Sequence, residues 1–158
     1  MTRIRPATPA DIPTIRALIV ALAVYEREPD AVKASEADLH AALFGERPLA
    51  EAVLAESDGV AVGLALYFTN FSTWAGRGGL YLEDLFVLPE ARGQGVGKAL
   101  LVHLAQIAVA RGYARFEWSV LDWNTPAIGF YTALGAKPQD EWTVMRVEGA
   151  ALAALAQG

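Results

Sequence analysis

The chain has 158 residues, 54% of them apolar, enough for one full core and too few for two, so a single soluble domain over residues 1–158 is expected. Its formal net charge of −5 argues against nucleic-acid binding, which needs a basic footprint, and is compatible with a cationic substrate. With no cysteine there is no disulfide, thiolate zinc site or thiol nucleophile, and with no apolar run of about 18 residues and no signal-peptide core the protein is expected to be cytoplasmic and off the membrane.

Arg3 to Arg5 reads as a short strand. Thr8, Pro9 and Asp11 then supply an N-cap, a first-turn proline and a capping box. Ile12, Ile15, Ile19 and Leu22 recur at helical spacing up to about Tyr25. Ser35 with Asp38 opens a second helix, and Gly45 closes it. From Glu51 the period shortens: two strands flank a turn at Asp58-Gly59, and "LYLEDLFV" from Leu80 to Val87 is a third, largely buried strand.

A long helix is predicted from about Gly95 to Ala110, ended by Gly112. Arg115 to Leu121 alternates like a strand, and Thr125-Pro126 starts a helix that Gly135 stops. "WTVMRV" from Trp142 reads as a last strand, and the alanine-rich tail from Gly149 as a closing helix. This order implies an α/β fold with a mixed sheet.

The segment between the third strand and the long helix, "RGQGVGK", carries three alternating glycines. Such a loop bares N–H groups at a helix start and so suits an anion. It is not a Walker loop: counting back from Gly97-Lys98 puts Arg92 at the first glycine and Ala99 at the Ser/Thr. Nor is it a dinucleotide fingerprint, since starting at Gly93 puts Lys98 at the third glycine, late in the chain.

Arg-x-x-Gly-x-Gly, here Arg92, Gly95 and Gly97, resembles the pyrophosphate loop of the GNAT acyl-CoA-dependent acetyltransferases. "LYLEDLFVLPEARGQGVGKALL" followed by "VLDWNTPAIGFYTALGA" resembles the spermidine/spermine and thialysine branch of that superfamily, and "IRPATPAD", "VYERE" and Glu141-Trp142 fit the same branch. The resemblance implies a GNAT fold: a twisted, mostly antiparallel mixed sheet with helices on both faces and strands four and five splayed apart. Acetyl-CoA would enter that gap, held by Leu85, Phe86 and Val87, by the loop Arg92, Gly93, Gln94, Gly95, Val96, Gly97 and Lys98, and by Asn124 and Tyr131. Around the amine it implies Tyr25, Glu26, Trp74, Glu83, Glu117, Trp118, Ser119 and Trp142, with a homodimer as the assembly.

The chemistry follows from the amine itself. An alkylammonium with a pKa of about 10.4 must lose a proton before it can attack a thioester, a cost of about 4 kcal/mol near neutral pH. A site therefore needs carboxylates to hold the cation and then take its proton. Glu83, in an apolar strand, is read as a buried and hence catalytic carboxylate. Its neighbour Asp84 should point to the opposite face unless a bulge intervenes, and reads as structural, near a dimer contact. Tyr131 is the candidate donor to the departing thiolate, and without a cysteine the acetyl group passes directly. Trp74, Trp118, Trp123 and Trp142 read as core residues, with Trp74 and Trp142 also able to line a hydrocarbon chain. His40 and His103 stand alone, and no metal-ligand spacing occurs.

Polyamine members of the branch carry an aspartate two residues before the tryptophan that precedes "YLED"; here Ser72 stands there. The expected substrate is thus a thialysine- or lysine-like amino acid or small diamine, with spermidine and spermine as the alternative. A non-catalytic acyl-CoA-binding module is the reading from another class; it would need the glycine loop but neither Tyr131 nor Glu83.

Overall fold

A computed structural model describes residues 1–158, which divide into two compact units, Met1–Ser119 and Val120–Gly158. The first unit is built on a five-stranded sheet in the order β1-β2-β3-β4-β5: β1 Thr2–Pro6, β2 Glu51–Ser57, β3 Val60–Ser72, β4 Arg77–Val87 and β5 Phe116–Trp118. The pairs from β1 to β4 are antiparallel and β5 runs parallel to β4, as the strand–helix–strand order requires. The β2–β3 hairpin turns on Asp58 and Gly59, both at positive φ (51° and 78°), the geometry that Asp-Gly favours.

Helices α1 (Ile12–Tyr25) and α2 (Glu36–Phe44) cover one face of the sheet. Ile12, Ile15, Leu18, Leu22, Leu39 and Leu43 pack there against Leu54, Leu64 and Phe86. Ser35 accepts from the Asp38 N–H at 3.0 Å while Asp38 accepts from the Ser35 N–H at 2.9 Å, completing the capping box of α2. At the start of α1 the Thr8 N–H reaches Asp11 at 2.7 Å, and Arg5 clasps the same carboxylate at 2.8 and 2.9 Å while its Nε meets Glu56 at 2.7 Å. A single 3-10 turn, Pro9–Asp11, separates this cap from α1.

Helix α3 (Val96–Ala110) covers the opposite face, with Leu100 and Leu104 fully buried. Gly112, at φ 69°, ends it: its N–H bonds to Val109 and that of Tyr113 to Ala108, the paired bonds of a glycine-terminated helix. The bidentate Arg111–Glu51 pair, at 2.8 Å through both nitrogens, ties this end to β2.

The second unit holds α4 (Thr125–Ala133) and α5 (Gly149–Leu155). Asn124 caps α4 by accepting the Ala127 N–H, Pro126 occupies its first turn, and Gly135 ends it at φ 100°. Two strand expectations are corrected. β5 forms only over Phe116–Trp118 rather than Arg115 to Leu121, and Trp142 to Val147 forms no strand. A strand exists through the ladder of a neighbour, and an alternating pattern alone does not supply one. Val144 and Met145 are accordingly exposed.

The tryptophans are corrected as well: none is buried, and Trp74 is 93% exposed at the β3–β4 hairpin tip.

Candidate active site

The site grows from a single irregularity in β4. Leu82 pairs with Tyr67 and Asp84 with Leu66, so Glu83 is an extra residue in the ladder. The register places Asp84 and Phe86 on the face of Leu64 and Leu66, covered by α1, and returns Tyr81 to that same face opposite Phe68. The bulge therefore carries both acidic residues toward the α1 side instead of dividing them between faces. This is the exception that the alternation argument left open, and it reverses which of the two is the more buried. Glu83 is exposed and Asp84 is half-buried, so the cost of burying a carboxylate falls more on Asp84.

The third acid comes from the end of α1. Glu26 caps that helix, its N–H bonded to Leu22 at 2.8 Å. Burial and the nearby charge of Glu83 raise its pKa. Burial, then Glu83, then Glu26 push Asp84 up to about 6. The causes are burial and mutual repulsion, with no cation among them. Three carboxylates so arranged form a site for a positive charge.

The bulge also marks where the sheet opens. β5 pairs with β4 only from Leu80 to Leu82, against Phe116 to Trp118, and beyond that β4 continues to Val87 without it. The expected splay of strands four and five is present, and it begins beside the carboxylates. The loop at the end of the splayed strand has the form read from the sequence. Gly93 and Gly95 take φ of 76° and 81°, values that admit glycine readily, and Gly95 caps α3 without any side-chain bond to the first-turn N–H groups. At Gly97 a Cβ would meet only the Val87 side chain, at 3.8 Å. Nothing in the protein requires a glycine there, so the cradle leaves room for something else.

Arg92 does more than flank this loop. Its Nε donates to the Val87 carbonyl at 3.0 Å, and its guanidinium carbon lies 4.8 Å from the centre of the Tyr25 ring and 5.5 Å from that of Phe86. Gln94 reaches back to the Glu90 carbonyl, Val96 is buried and Lys98 is exposed.

The other residues singled out in the sequence scatter further. Leu85 and Val87 are half-buried on β4, and Phe86 is in the core. On β5, Glu117 pairs with Arg115. The ring of Trp118 packs edge-on to Phe116, and Ser119 shares a hydrogen bond with Tyr81 at 2.8 Å. Ser72 is buried, accepting the Ala75 N–H at 3.2 Å in the hairpin tip. Asn124, Tyr131 and Trp142 belong to the second unit: Asn124 as the α4 cap, Tyr131 half-buried on α4 beside Phe130, Trp142 exposed. Asp84 is the residue that sequence reasoning undervalued. The signal that could have found it is the adjacent acidic pair, which only a bulge can bring to one face.

Residues 15–136 match the acetyltransferase (GNAT) family. The chain belongs to that family. As a GNAT protein it is an N-acetyltransferase, which sets aside the non-catalytic binding module. It is 40% identical to the thialysine N-epsilon-acetyltransferase of Mus musculus, across 98% of this chain and 97% of that one. It is 33% identical to an L-ornithine N5-acetyltransferase of Arabidopsis thaliana, across 98% and 87%. Among solved structures, an integron cassette protein from V. cholerae superposes with a TM-score of 0.84 at 30% identity, covering 99% of this chain and 98% of that one. The GNAT fold expected from the loop and the "YLED" strand is therefore the fold observed.

Proposed function

We propose that this GNAT protein transfers acetyl from acetyl-CoA to the side-chain amine of a small amino acid of the thialysine, lysine or ornithine kind, or of a related diamine. The observation that carries this reading is the convergence of Glu26, Glu83 and Asp84 on the α1 face of β4, beside an open strand edge and an uncapped glycine loop. The loop fits a pyrophosphate, since the first-turn N–H groups of α3 lack a side-chain cap and Gly97 leaves space that a Cβ would fill. The donor supplies an activated acyl group on a thiol; the protein's residues do the rest.

Glu26 and Glu83 hold the ammonium, and its proton passes to Asp84, whose raised pKa makes it a strong acceptor within the cluster. Leu85, Phe86 and Val87 hold the pantetheine arm through the β4 backbone, together with Asn124, and Tyr131 protonates the departing thiolate. The reading treats residues 1–158 as one catalytic domain, working as a homodimer in the cytoplasm. The exposed Val144 and Met145 of the second unit support an assembly that covers them. Both named relatives act, by their names, on the side-chain amine of an amino acid, which favours that substrate over a polyamine.

Two measurements test this. Acetyl-CoA at 100 times its dissociation constant should stabilise the protein by about 2.7 kcal/mol in thermal unfolding, and ATP should not. Equal protection by ATP would sink the assignment of the loop. With thialysine and acetyl-CoA, initial-rate plots should intersect. Tyr131→Phe should lower kcat by about 10²-fold with acetyl-CoA affinity nearly intact, whereas parallel lines and a trapped acetylated residue would rule out direct transfer.

A further inference from the structure

Arg92 leads the glycine loop in extended conformation (φ −72°, ψ 156°), yet its side chain turns back across two other elements. Nε is bonded to the Val87 carbonyl of β4, and the guanidinium lies over the ring of Tyr25, the last residue of α1, with Phe86 beside it. The two rings are themselves 6.5 Å apart, so one side chain ties the loop, the splayed strand and the end of α1 together.

That helix end is closed by its own backbone bonds. The Arg27 N–H bonds to Val24 at 3.1 Å and the Glu28 N–H to Ala23 at 2.9 Å, with Arg27 itself at φ 66°. Tyr25 and Glu26 are adjacent within this closed turn, so wherever the Tyr25 ring is held, the Glu26 carboxylate follows. A guanidinium stacks with its face and hydrogen-bonds with its edge, so contact with an anion at the loop and contact with Tyr25 are compatible.

We propose that Arg92 is a positioning residue that couples occupancy of the glycine loop to the amine site, acting through the ring of Tyr25. Filling the loop fixes Arg92, Arg92 fixes Tyr25, and Tyr25 sets Glu26 against Glu83 and Asp84. The inference rests on the functional reading above. It adds that the two substrates bind with positive and reciprocal coupling.

The test uses CoA, which fills the loop but cannot react, and thialysine as the amine, both followed by calorimetry. In the native protein saturating CoA should tighten thialysine binding about fivefold, the range of one partly exposed cation–ring contact. Tyr25→Leu should bring that ratio to about one while its affinity for CoA stays within about twofold of native, which also shows that the variant is folded. Tyr25→Phe, which keeps the ring, should retain the native ratio. Arg92→Lys, which keeps the charge but not the planar stack, should lower the ratio with the core untouched.

A Tyr25→Leu protein that keeps the native ratio, or a Tyr25→Phe protein that loses it, overturns the inference. A native protein that binds both ligands and acetylates thialysine but shows a ratio of one overturns the inference alone. A native protein that does not bind CoA overturns the functional reading and the inference together.

Discussion

Asp84 is where stability and the proposed function oppose each other most directly. Its carboxyl is raised to about 6 in the folded protein, above the value near 4 of an unfolded chain, chiefly by burial and then by Glu83 and Glu26. Folding therefore favours the protonated form. This contribution is best at low pH, worsens as pH rises from about 4 to about 6, and stays unfavourable above that. Asp84→Asn should stabilise the free protein at pH 7 by about 1–3 kcal/mol and lower kcat/KM for the amine by roughly 10²-fold. Thermal unfolding and initial rates on one preparation check both halves, and a variant that is neither more stable nor slower would remove Asp84 from the site. Ser72 makes a smaller case. Its hydroxyl already serves the hairpin tip by accepting the Ala75 N–H, a bond that an aspartate can also accept. Because Ser72 is buried, the new carboxylate costs stability in the free protein, and Ser72→Asp should raise kcat/KM for spermidine by at most about fivefold, the worth of a weak ion pair, with thialysine changed less. A native preference for spermidine of about tenfold or more would make polyamines the better reading.

Among the elements, α3 carries a first turn that is poor for a helix and good for a ligand. Gly97 lies within the helix at a place where the protein offers a Cβ only ordinary contact with Val87. Gly97→Ala should therefore stabilise the free protein by about 0.5–1 kcal/mol through helix propensity. The same methyl occupies the space assigned to the pyrophosphate, so acetyl-CoA should bind about tenfold or more weakly, a loss of the size of one strong hydrogen bond. Unfolding with and without acetyl-CoA separates the two effects. Unchanged affinity would mean that the glycine serves the backbone alone.

Across the whole molecule, two groups of carboxylates give stability opposite slopes with pH. Asp11, held far below the ordinary range chiefly by Arg5, and Glu51, lowered by Arg111, stabilise the fold when ionised, and that contribution is lost as pH falls through the acid range. Asp84 does the reverse, costing stability as pH rises toward about 6, and Glu26, raised by burial and then by Glu83, adds a cost of the same sign. The free protein should accordingly be most stable between about pH 4 and 6, and a bound ammonium should flatten the decline above it. Melting temperature measured from pH 3 to 9, with and without thialysine, reads both features. A ligand-free maximum above pH 7 would contradict the repulsive cluster.

Much of this was legible in the chain because the signals are local. A capping box at Ser35 and Asp38, an Asp-Gly hairpin turn and glycines at helix ends specify backbone angles within a few residues, and each appears where the residues place it. The glycine loop was legible for the same reason, since positive φ at Gly93 and Gly95 and an uncapped helix start follow from neighbouring residues. What the chain could not state is pairing. Whether Trp142 to Val147 becomes a strand depends on a neighbour, and whether Glu83 and Asp84 share a face depends on how β4 registers against Leu66 and Tyr67. Read along the sequence, Glu83 is the buried acid and Asp84 its structural companion. One extra residue in the ladder reverses their burial, because side-chain direction alternates only while the register holds. The sequence by itself determined the helices, the hairpin turn, the glycine loop and the family; the tertiary structure decided which of two adjacent carboxylates is the more buried, and with it which of them the proposed function takes as base, since burial is a property of contacts between distant residues.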